Sequence, residues 1–427
     1  MRETNGTAVV ETGSAPDAQA LRVLYGTGPG DVIRTFEHWS AGRDDPSQVS
    51  ITYSAQFFDA CRAAGARGHA VVFRREDDRR RLERGPFTIK HHYDRLRFLG
   101  GSASYHLGQA WNAMRLWSAA VRSRADVAVV AGVTHWFLLA PLAWCGVRVV
   151  PTLHCAFWPA GHRPRGRVSQ LVQRLDGWFW RRWATATLCV SPECERQVRE
   201  VMRGRPPRGP FVQVRAQYRP GALEAIAAPV HARPLRVVFA GRLEPNKGVF
   251  DLLDVIGRLE RSRPGHFLLE FCGGGSAERD LREQVTRRAL DGAVRVLGQL
   301  EAPAMREAYE RAHVVVVPTT PDFAEGLNKV TVEAVLAGRP VIASRLSHAK
   351  DVLGEALIET DARDVGGYQA ALERLADDPS AYARACAACA DARAPFYDAE
   401  QGWGTALTRI LDGLAREKGL KTAPPPS

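Results

Sequence analysis

The chain has no apolar run long enough to cross a bilayer. The longest, WFLLAPLAWCGV at 136–147, falls short of the roughly 20 residues a spanning helix needs. A secretory leader is not expected either, because residues 1–20 are polar and end in Ala and Asp. Cysteines stand at 61, 145, 155, 189, 194, 272, 386 and 389, with no second pair or His cluster at zinc spacing. Cys386 and Cys389 form a C-x-x-C inside the alanine-rich ARACAACADARA, where small residues pack helices. This usage predicts a reducing cytosol and no disulfide framework. Acid is in short supply: 47 Asp and Glu face 58 Lys and Arg, a formal net charge of +11. That balance suits an anionic partner (nucleic acid, acidic lipid or a phosphorylated substrate) without choosing among them. No D-x-D stands on a strand-end loop, and the RDD at 43–45 runs straight into a proline. No metal and no cofactor are therefore expected.

What is present is ordinary globular composition, 45% hydrophobic and 25% charged over 427 residues, which predicts two domains. Short β-branched runs alternate with amphipathic stretches. LRVLYG (21–26), HAVVF (69–73), DVAVVAG (126–132), VRVVPTLH (147–154) and TATLCV (185–190) read as strands, with helices near 51–66 and 105–123. The charge run RREDDRRRLERG (74–85) reads as a solvated face or loop. A proline-containing break at 221–234 reads as a linker. The alternation then restarts with RVVFAG (236–241), FLLEFCGGG (267–275), AVRVLGQL (293–300), HVVVVP (313–318) and PVIAS (340–344). Near-continuous apolar strands between helices predict parallel sheets covered on both faces. The expected fold class is α/β, with two doubly wound Rossmann-like domains facing a cleft. The boundaries read from sequence are a tail at 1–20, an N-terminal domain at 21–220, the linker, a C-terminal domain at 235–394, a helical segment at 395–420 returning to the N-terminal domain, and a tail at 421–427.

In such sheets the ligand sits beyond the carboxyl ends of the strands, so the loops there carry the chemistry. VVFAGRLEPNKGVFDLL (237–253) places Arg242 and Lys247 between a strand and a helix. A guanidinium fork and an ammonium suit a diphosphate, and Gly241 and Gly248 permit a tight turn; two solvated cations on a loop are the plain alternative. Gly273, Gly274 and Gly275 could present amides to an anion or simply make a turn. VVVVPTTPDFAEGLNKVTVEAVLAGRPVIAS (314–344) carries Glu325 and Glu333 across a helix start. If all of it were helical, eight residues would separate them by about 12 Å, beyond the roughly 5–9.5 Å of a hydrolytic carboxylate pair. The two acids therefore suit separate tasks, one on ribose hydroxyls and one on a sugar, with a diphosphate at the helix N-terminus between them.

GRLEPNKG, VVVVPTT and EGLNKVTVEAVLAGRPVIAS together resemble the retaining nucleotide-sugar glycosyltransferases of the GT-B fold, the group 1 and family 4 transferases. The likeness is tightest over about 235–345. It implies that Arg242 and Lys247 bind the donor diphosphate, Glu333 holds the ribose, and Glu325 contacts the donor sugar. It also implies that backbone amides at Gly326, Leu327 and Asn328 help to hold sugar and phosphate. In the N-terminal half, LYGTGPGD with Gly28 and Gly30 resembles the family's first glycine loop, and His154 takes the place of a histidine near the transferred sugar. Cys155 stands where the family often has an acid, and Leu346, Ser347 and His348 replace a later glycine loop. The loop TFEHWSAGRDDPSQVS (35–50) is unlike commoner members and is expected to shape the acceptor side. Lys329, at the helix start, reads as a surface lysine rather than a phosphate partner.

The resemblance implies a metal-independent transferase acting with retention on a saccharide or lipid-linked acceptor, in bacterial-type polysaccharide, glycolipid or glycoconjugate synthesis. The nucleotide-sugar donor is its substrate rather than a cofactor. The alternatives are a sugar-nucleotide epimerase of the same fold and a non-catalytic, membrane-associated binding protein. HRPRGRVSQLVQRLDGWFWRRW (162–183), with interleaved Arg, Trp and Phe, supports the membrane; a surface helix with its aromatics in the core is the competing reading. Nucleic acid is not expected, because no binding motif accompanies the charge. The expected location is cytoplasmic, with peripheral contact to the membrane's cytoplasmic face as an option.

Overall fold

The computed structural model describes residues 20–420, apart from 75, 95–101, 133–134, 222, 225 and 228–229. The two expected tails, up to residue 19 and from 421, lie outside the described residues.

The first half begins with β1 (Arg22–Thr27), α1 (Val32–Ser40), α2 (Tyr53–Ala63), β2 (Arg67–Arg74), β3 (Arg81–Arg84) and β4 (Phe87–Tyr93). Then α3 (Ser102–Ser123) leads to β5 (Val127–Val130), α4 (Ala140–Trp144) to β6 (Arg148–Leu153), α5 (Arg167–Arg182) to β7 (Thr187–Cys189), and α6 (Pro192–Val201) to β8 (Phe211–Gln213). These strands form one sheet in the order β3-β4-β2-β1-β5-β6-β7-β8, parallel except for the β3–β4 pair. The charge run at 74–85 is therefore not simply a loop: its end, Arg81–Arg84, pairs antiparallel with β4 at the sheet edge. Charged side chains on a short edge strand discourage pairing with another chain, so the sequence that looked like solvated loop is also a blunted edge.

The second half runs β9 (Leu235–Ala240), α7 (Val249–Ser262), β10 (Phe267–Cys272), α8 (Glu278–Arg287), β11 (Val294–Gly298), α9 (Ala302–Arg311), β12 (Val314–Val317), α10 (Lys329–Leu336), β13 (Val341–Ser344), α11 (Lys350–Leu353) and β14 (Leu357–Thr360). Its sheet order is β11-β10-β9-β12-β13-β14, parallel throughout. The four valines of β12 show why the strand reads as continuous apolar sequence. Val314 and Val316 join one core, Val315 and Val317 the other, and all four are buried. A strand covered on both faces has no solvent side to make polar.

After β14, α12 (Val365–Asp377), α13 (Pro379–Asp391) and α14 (Ala394–Tyr397) complete the second domain's cover, and α15 (Trp403–Glu417) lies back on the first. There Trp403 is fully buried and its Nε1 donates to Thr152 Oγ1 at 2.8 Å, while Gly404 N donates to Gln56 Oε1 at 2.8 Å. In both sheets the chain reverses direction beside its first strand, at β1 and at β9. Such switch points open a crevice at the strands' carboxyl ends, and here the two crevices face each other.

Candidate active site

A cavity of about 600 Å³ lies between the domains, bounded by Gly241 after β9, Gly273 after β10, Thr319 after β12, and the start of α10. Its chemistry is concentrated around one carboxylate. Lys247 Nζ contacts Glu325 Oε1 in an ion pair whose side chains are 14% and 6% exposed. Glu325 Oε2 is buried with no hydrogen-bond partner among the described residues. One oxygen is thus neutralised and the other is left to accept from whatever enters, which suits a sugar hydroxyl.

Beside this pair, Lys247 Nζ stands 3.7 Å above the Phe323 ring centroid and the Arg242 guanidinium 5.6 Å from the same centroid. Phe323 places the two cations in one neighbourhood through cation–π attraction, and nothing in its sequence setting singled it out. Arg242 itself is exposed and makes no ion pair with a described residue. The glycines in the floor serve close approach rather than anion capture. A Cβ on Gly273 would lie 1.8 Å from Gly241 O, and Gly273 N already donates to Gly298 O at 2.7 Å.

Glu333 sits one turn into α10 and lines the same cavity. Tyr309 Oη donates to its Oε2 at 3.1 Å. Burial pushes its carboxyl up to about 7, opposed by the Lys329 ammonium and the Tyr309 and Tyr218 hydroxyls. The structure therefore keeps the two acids in different environments: Glu325 on a lysine, Glu333 among tyrosines and desolvated.

Lys329 corrects the sequence reading. It is not a surface lysine: its Nζ donates to Ser50 Oγ at 3.0 Å, stands 5.0 Å from the Tyr53 ring centroid, and has its pKa lowered by burial against the opposing pull of Glu333. Asn328 also lines the cavity. Its side chain caps α10 by accepting from Val330 N at 3.0 Å, and its backbone N donates to Ser347 O at 3.2 Å, so that amide is already engaged. Gly326 and Leu327 line the cavity beside it. Gly326 is required for a different reason: it forms an antiparallel bridge with Cys155 of the other domain, and a Cβ there would meet His154 O at 2.4 Å.

That bridge brings the N-terminal domain's candidate residue to the site. Ala156 N donates to Glu325 O at 3.1 Å, so the loop after β6 is clamped to the loop that carries the catalytic candidate. His154 packs against Tyr53 with ring centroids 4.1 Å apart and the rings tilted by 36°, and lies 3.3 Å from Thr152 Oγ1 through Nε2. Its Nδ1 is buried without a partner among the described residues. Burial, with the nearby Lys329 charge, holds its pKa down at about 3, so the ring is neutral at physiological pH.

A second cavity, about 860 Å³, opens on the N-terminal side. It shares His154, Cys155, Ser47, Gln48 and Lys329 with the first, so one set of residues separates two compartments. Gly28 and Gly30 line this second cavity and not the first; neither has a positive φ, and a Cβ would meet nothing at either. The loop at 35–50 contributes Ser47 and Gln48 to the boundary. Its aspartates are engaged within the protein: Asp44 accepts two bonds from Arg219, at 2.6 and 3.0 Å, and Asp45 accepts from Ser47 Oγ at 2.7 Å. Deeper in, His106 Nδ1 and His135 Nε2 are 2.7 Å apart. Asp176 nearby has its pKa pushed up to about 8 by burial, against backbone bonds from Phe137 and Trp136. These groups come from three separate segments, and no local motif marked them.

Comparison with known proteins finds one matched segment in each half of the chain. Residues 55–208 match the family described as Glycosyltransferase Family 4, and residues 234–378 match Glycosyl transferases group 1. A glycogen synthase of Mycobacterium tuberculosis is 28% identical over 294 residues, 65% of this chain and 66% of that protein. The match thus spans just under two thirds of that relative's length. A D-inositol 3-phosphate glycosyltransferase of Pseudarthrobacter chlorophenolicus is 31% identical over 149 residues, 34% of this chain and 35% of that protein. Among solved structures, sucrose-phosphate synthase from Thermosynechococcus elongatus superposes with a TM-score of 0.68 at 16% identity, covering 93% of this chain and 99% of its own. The N-terminal domain thus carries one glycosyltransferase family match and the C-terminal domain another, within the two-domain fold shared with that synthase.

Proposed function

We propose that the protein transfers a sugar from a nucleotide-sugar donor to an acceptor hydroxyl. The observation that carries this reading is Glu325: a buried carboxylate with one oxygen on Lys247 and the other unpartnered, lining the smaller cavity and held by its backbone to the loop of His154 and Cys155, which line both cavities. In this reading the smaller cavity holds the donor. Arg242 and Lys247 take the diphosphate, Glu333 takes the ribose diol, and Glu325 takes the sugar. A structure of the same fold from E. coli, bound with UDP-2-fluoro glucose, supports a nucleotide-sugar as the donor.

The chemistry follows from where charge develops. As the bond from the anomeric carbon to the diphosphate breaks, negative charge grows on the diphosphate. Two preorganised cations over Phe323 stabilise it more than they stabilise the ground state. The acceptor enters from the larger cavity, its oxygen bonds to the anomeric carbon on the face the diphosphate leaves, and its proton passes to the departing diphosphate oxygen. Configuration is then retained. His154, neutral and fixed against Tyr53, orients the sugar and supplies no positive charge. No step in this scheme calls on a divalent metal. An epimerase or a non-catalytic binding protein would have no use for a second compartment sharing His154 and Lys329 with the first. A saccharide or lipid-linked acceptor, in polysaccharide or glycoconjugate synthesis, fits the size of that compartment. The test is release of nucleoside diphosphate from UDP-, GDP- and ADP-sugars, with and without candidate acceptors; acceptor-dependent release supports transfer, and no release from any donor contradicts it.

A further inference from the structure

The right-handed rule for parallel crossovers sorts the N-terminal helices by face. From β1 the chain steps to β2 in one direction, and from β4 through β5, β6, β7 and β8 it steps in the other. So α1 and α2 cover one face, and α3, α4, α5 and α6 form a single layer on the opposite face. Contacts of α3 with α4, and of α5 with α6, agree with that layer, while α15 packs with α2 on the other side.

This layer carries most of the exposed large hydrophobic side chains among the described residues. Ten large hydrophobic side chains are exposed among the described residues, and eight of them lie between Tyr105 and Leu171, on α3, α4 and α5. On α3, Leu107, Trp111, Met114 and Val121 fall at intervals of four, three and seven, which puts them on one stripe of the helix. They are 43–71% exposed. On α5, Val168 and Leu171 stand three apart, and half-buried Trp178 continues the same side toward Trp183. The Trp183 ring contacts those of Trp178 and Trp144, at 6.1 and 6.3 Å between centroids, so α5 and the end of α4 are continuous. An apolar stripe on an amphipathic helix ordinarily faces a core; this one faces outward.

Charge says what covers it. Between 102 and 183 the chain has ten arginines and two aspartates. Neither aspartate offsets the surface: Asp176 is buried, and Asp126 accepts from Arg22 N at 2.8 Å and pairs with Lys418. Next to Val121, a bowl of about 520 Å³ is lined by Arg67, His69, Arg81, Lys90, Arg122 and Arg124, with Glu83 its one acid. The bowl's field is felt by His92, whose pKa falls to about 4 through burial and then through Arg115, Lys90 and Arg122.

We infer that this helical layer docks on an anionic lipid bilayer, with the α3 and α5 stripes in the interface and the arginines and basic bowl on headgroup phosphates. A second copy fits less well, because a self-complementary contact would set like charge on like. Nucleic acid would leave the exposed aliphatic side chains without a partner. The segment singled out in the sequence, 162–183, is only part of the surface; the leading stripe is on α3, where Arg115 stacks on Trp111 at 5.4 Å. The larger cavity opens beside this layer, lined by Tyr105 and His106 of α3 and by Ser169, Val172 and Gln173 of α5. A lipid-linked acceptor could then reach the cavity from the bilayer; that clause rests on the transferase reading, while the docking does not.

The test is co-sedimentation of the full-length protein with vesicles of phosphatidylcholine alone and of phosphatidylcholine mixed with phosphatidylglycerol. Binding is expected to the anionic vesicles only, and to weaken as salt rises. A variant carrying Trp111→Ser and Met114→Ser, and a second carrying Arg122→Glu and Arg174→Glu, are each expected to lose about tenfold or more in vesicle partition. Both are expected to unfold at the parent's temperature, since all four side chains are exposed or at the surface. Nucleoside-diphosphate binding without vesicles, measured on the same samples, reports on the transferase reading separately. A parent that stays in the supernatant with anionic vesicles overturns the inference. So do variants that sediment as the parent does, or a parent dimer that the Trp111 and Met114 changes dissociate.

Discussion

The two domains share an architecture and differ in how their chemistry is written. In the C-terminal domain the functional groups cluster within two short segments, Gly241–Gly248 and Phe323–Glu333, because both follow strands at the switch point. In the N-terminal domain the cavity is assembled from Gly28, Tyr53, His106, His135, His154 and Asp176, which come from six separate stretches of the chain. A diphosphate and a ribose are the same in every nucleotide donor, so their binding groups can be packed into a repeating local pattern. An acceptor pocket has no such fixed ligand, and its groups are set by the tertiary fold.

That contrast can be broken or sharpened by substitution. The largest effect is expected at the reacting end. Glu325→Ala should lower kcat by about a hundredfold to a thousandfold with little change in donor KM, because its unpartnered oxygen acts most strongly at the transition state. Steady-state donor titration reads this directly, and a change confined to KM would move Glu325 to plain substrate binding. Glu333→Ala should do the opposite, raising donor KM about tenfold and leaving kcat near the parent's, since ribose bonds are made in ground and transition states alike.

A smaller, pH-dependent effect should follow from Glu333's environment. Its pKa near 7 means that it is protonated below that pH and ionised above it. Ribose hydroxyls donate best to the carboxylate, so donor affinity should rise as pH increases through about 7, and Glu333→Gln should flatten the profile. The same raised pKa has the reverse sign for the ligand-free fold. The folded state holds a proton that the unfolded chain gives up near 4.5, so this group's contribution to stability declines as pH rises from about 4.5 through 7. Thermal unfolding of the parent and Glu333→Gln across that window checks the sign. The smallest effect is expected from chelation: activity should survive EDTA, and loss with rescue by manganese would overturn the metal-free scheme.

The sequence carried the layered α/β plan because strands such as β12 are apolar on both faces and read as strands without any partner known. It offered Arg242, Lys247, Glu325 and Glu333 as candidates from the strand-end loops and the helix that follows, and the fold brings all four to one cavity. It did not carry Phe323, since an aromatic in a loop has no periodicity to betray it. Lys329 was misplaced for a related reason: whether a lysine at a helix start meets solvent or Ser50 depends on the other domain closing over it. Edge strand β3 was hidden by its own charge, and the outward stripe of α3 looked like any core-facing amphipathic helix until its exposure was known.

The central claim is that the cleft between the domains holds a nucleoside diphosphate on Lys247 and Arg242. Calorimetric titration of UDP, GDP and ADP into the parent and into Lys247→Ala tests it most directly. The account predicts that the parent binds at least one of the three and that the variant binds it more weakly by about 2–4 kcal/mol, because a buried charge partner is lost. Equal affinity of parent and variant for every diphosphate the parent binds would contradict it.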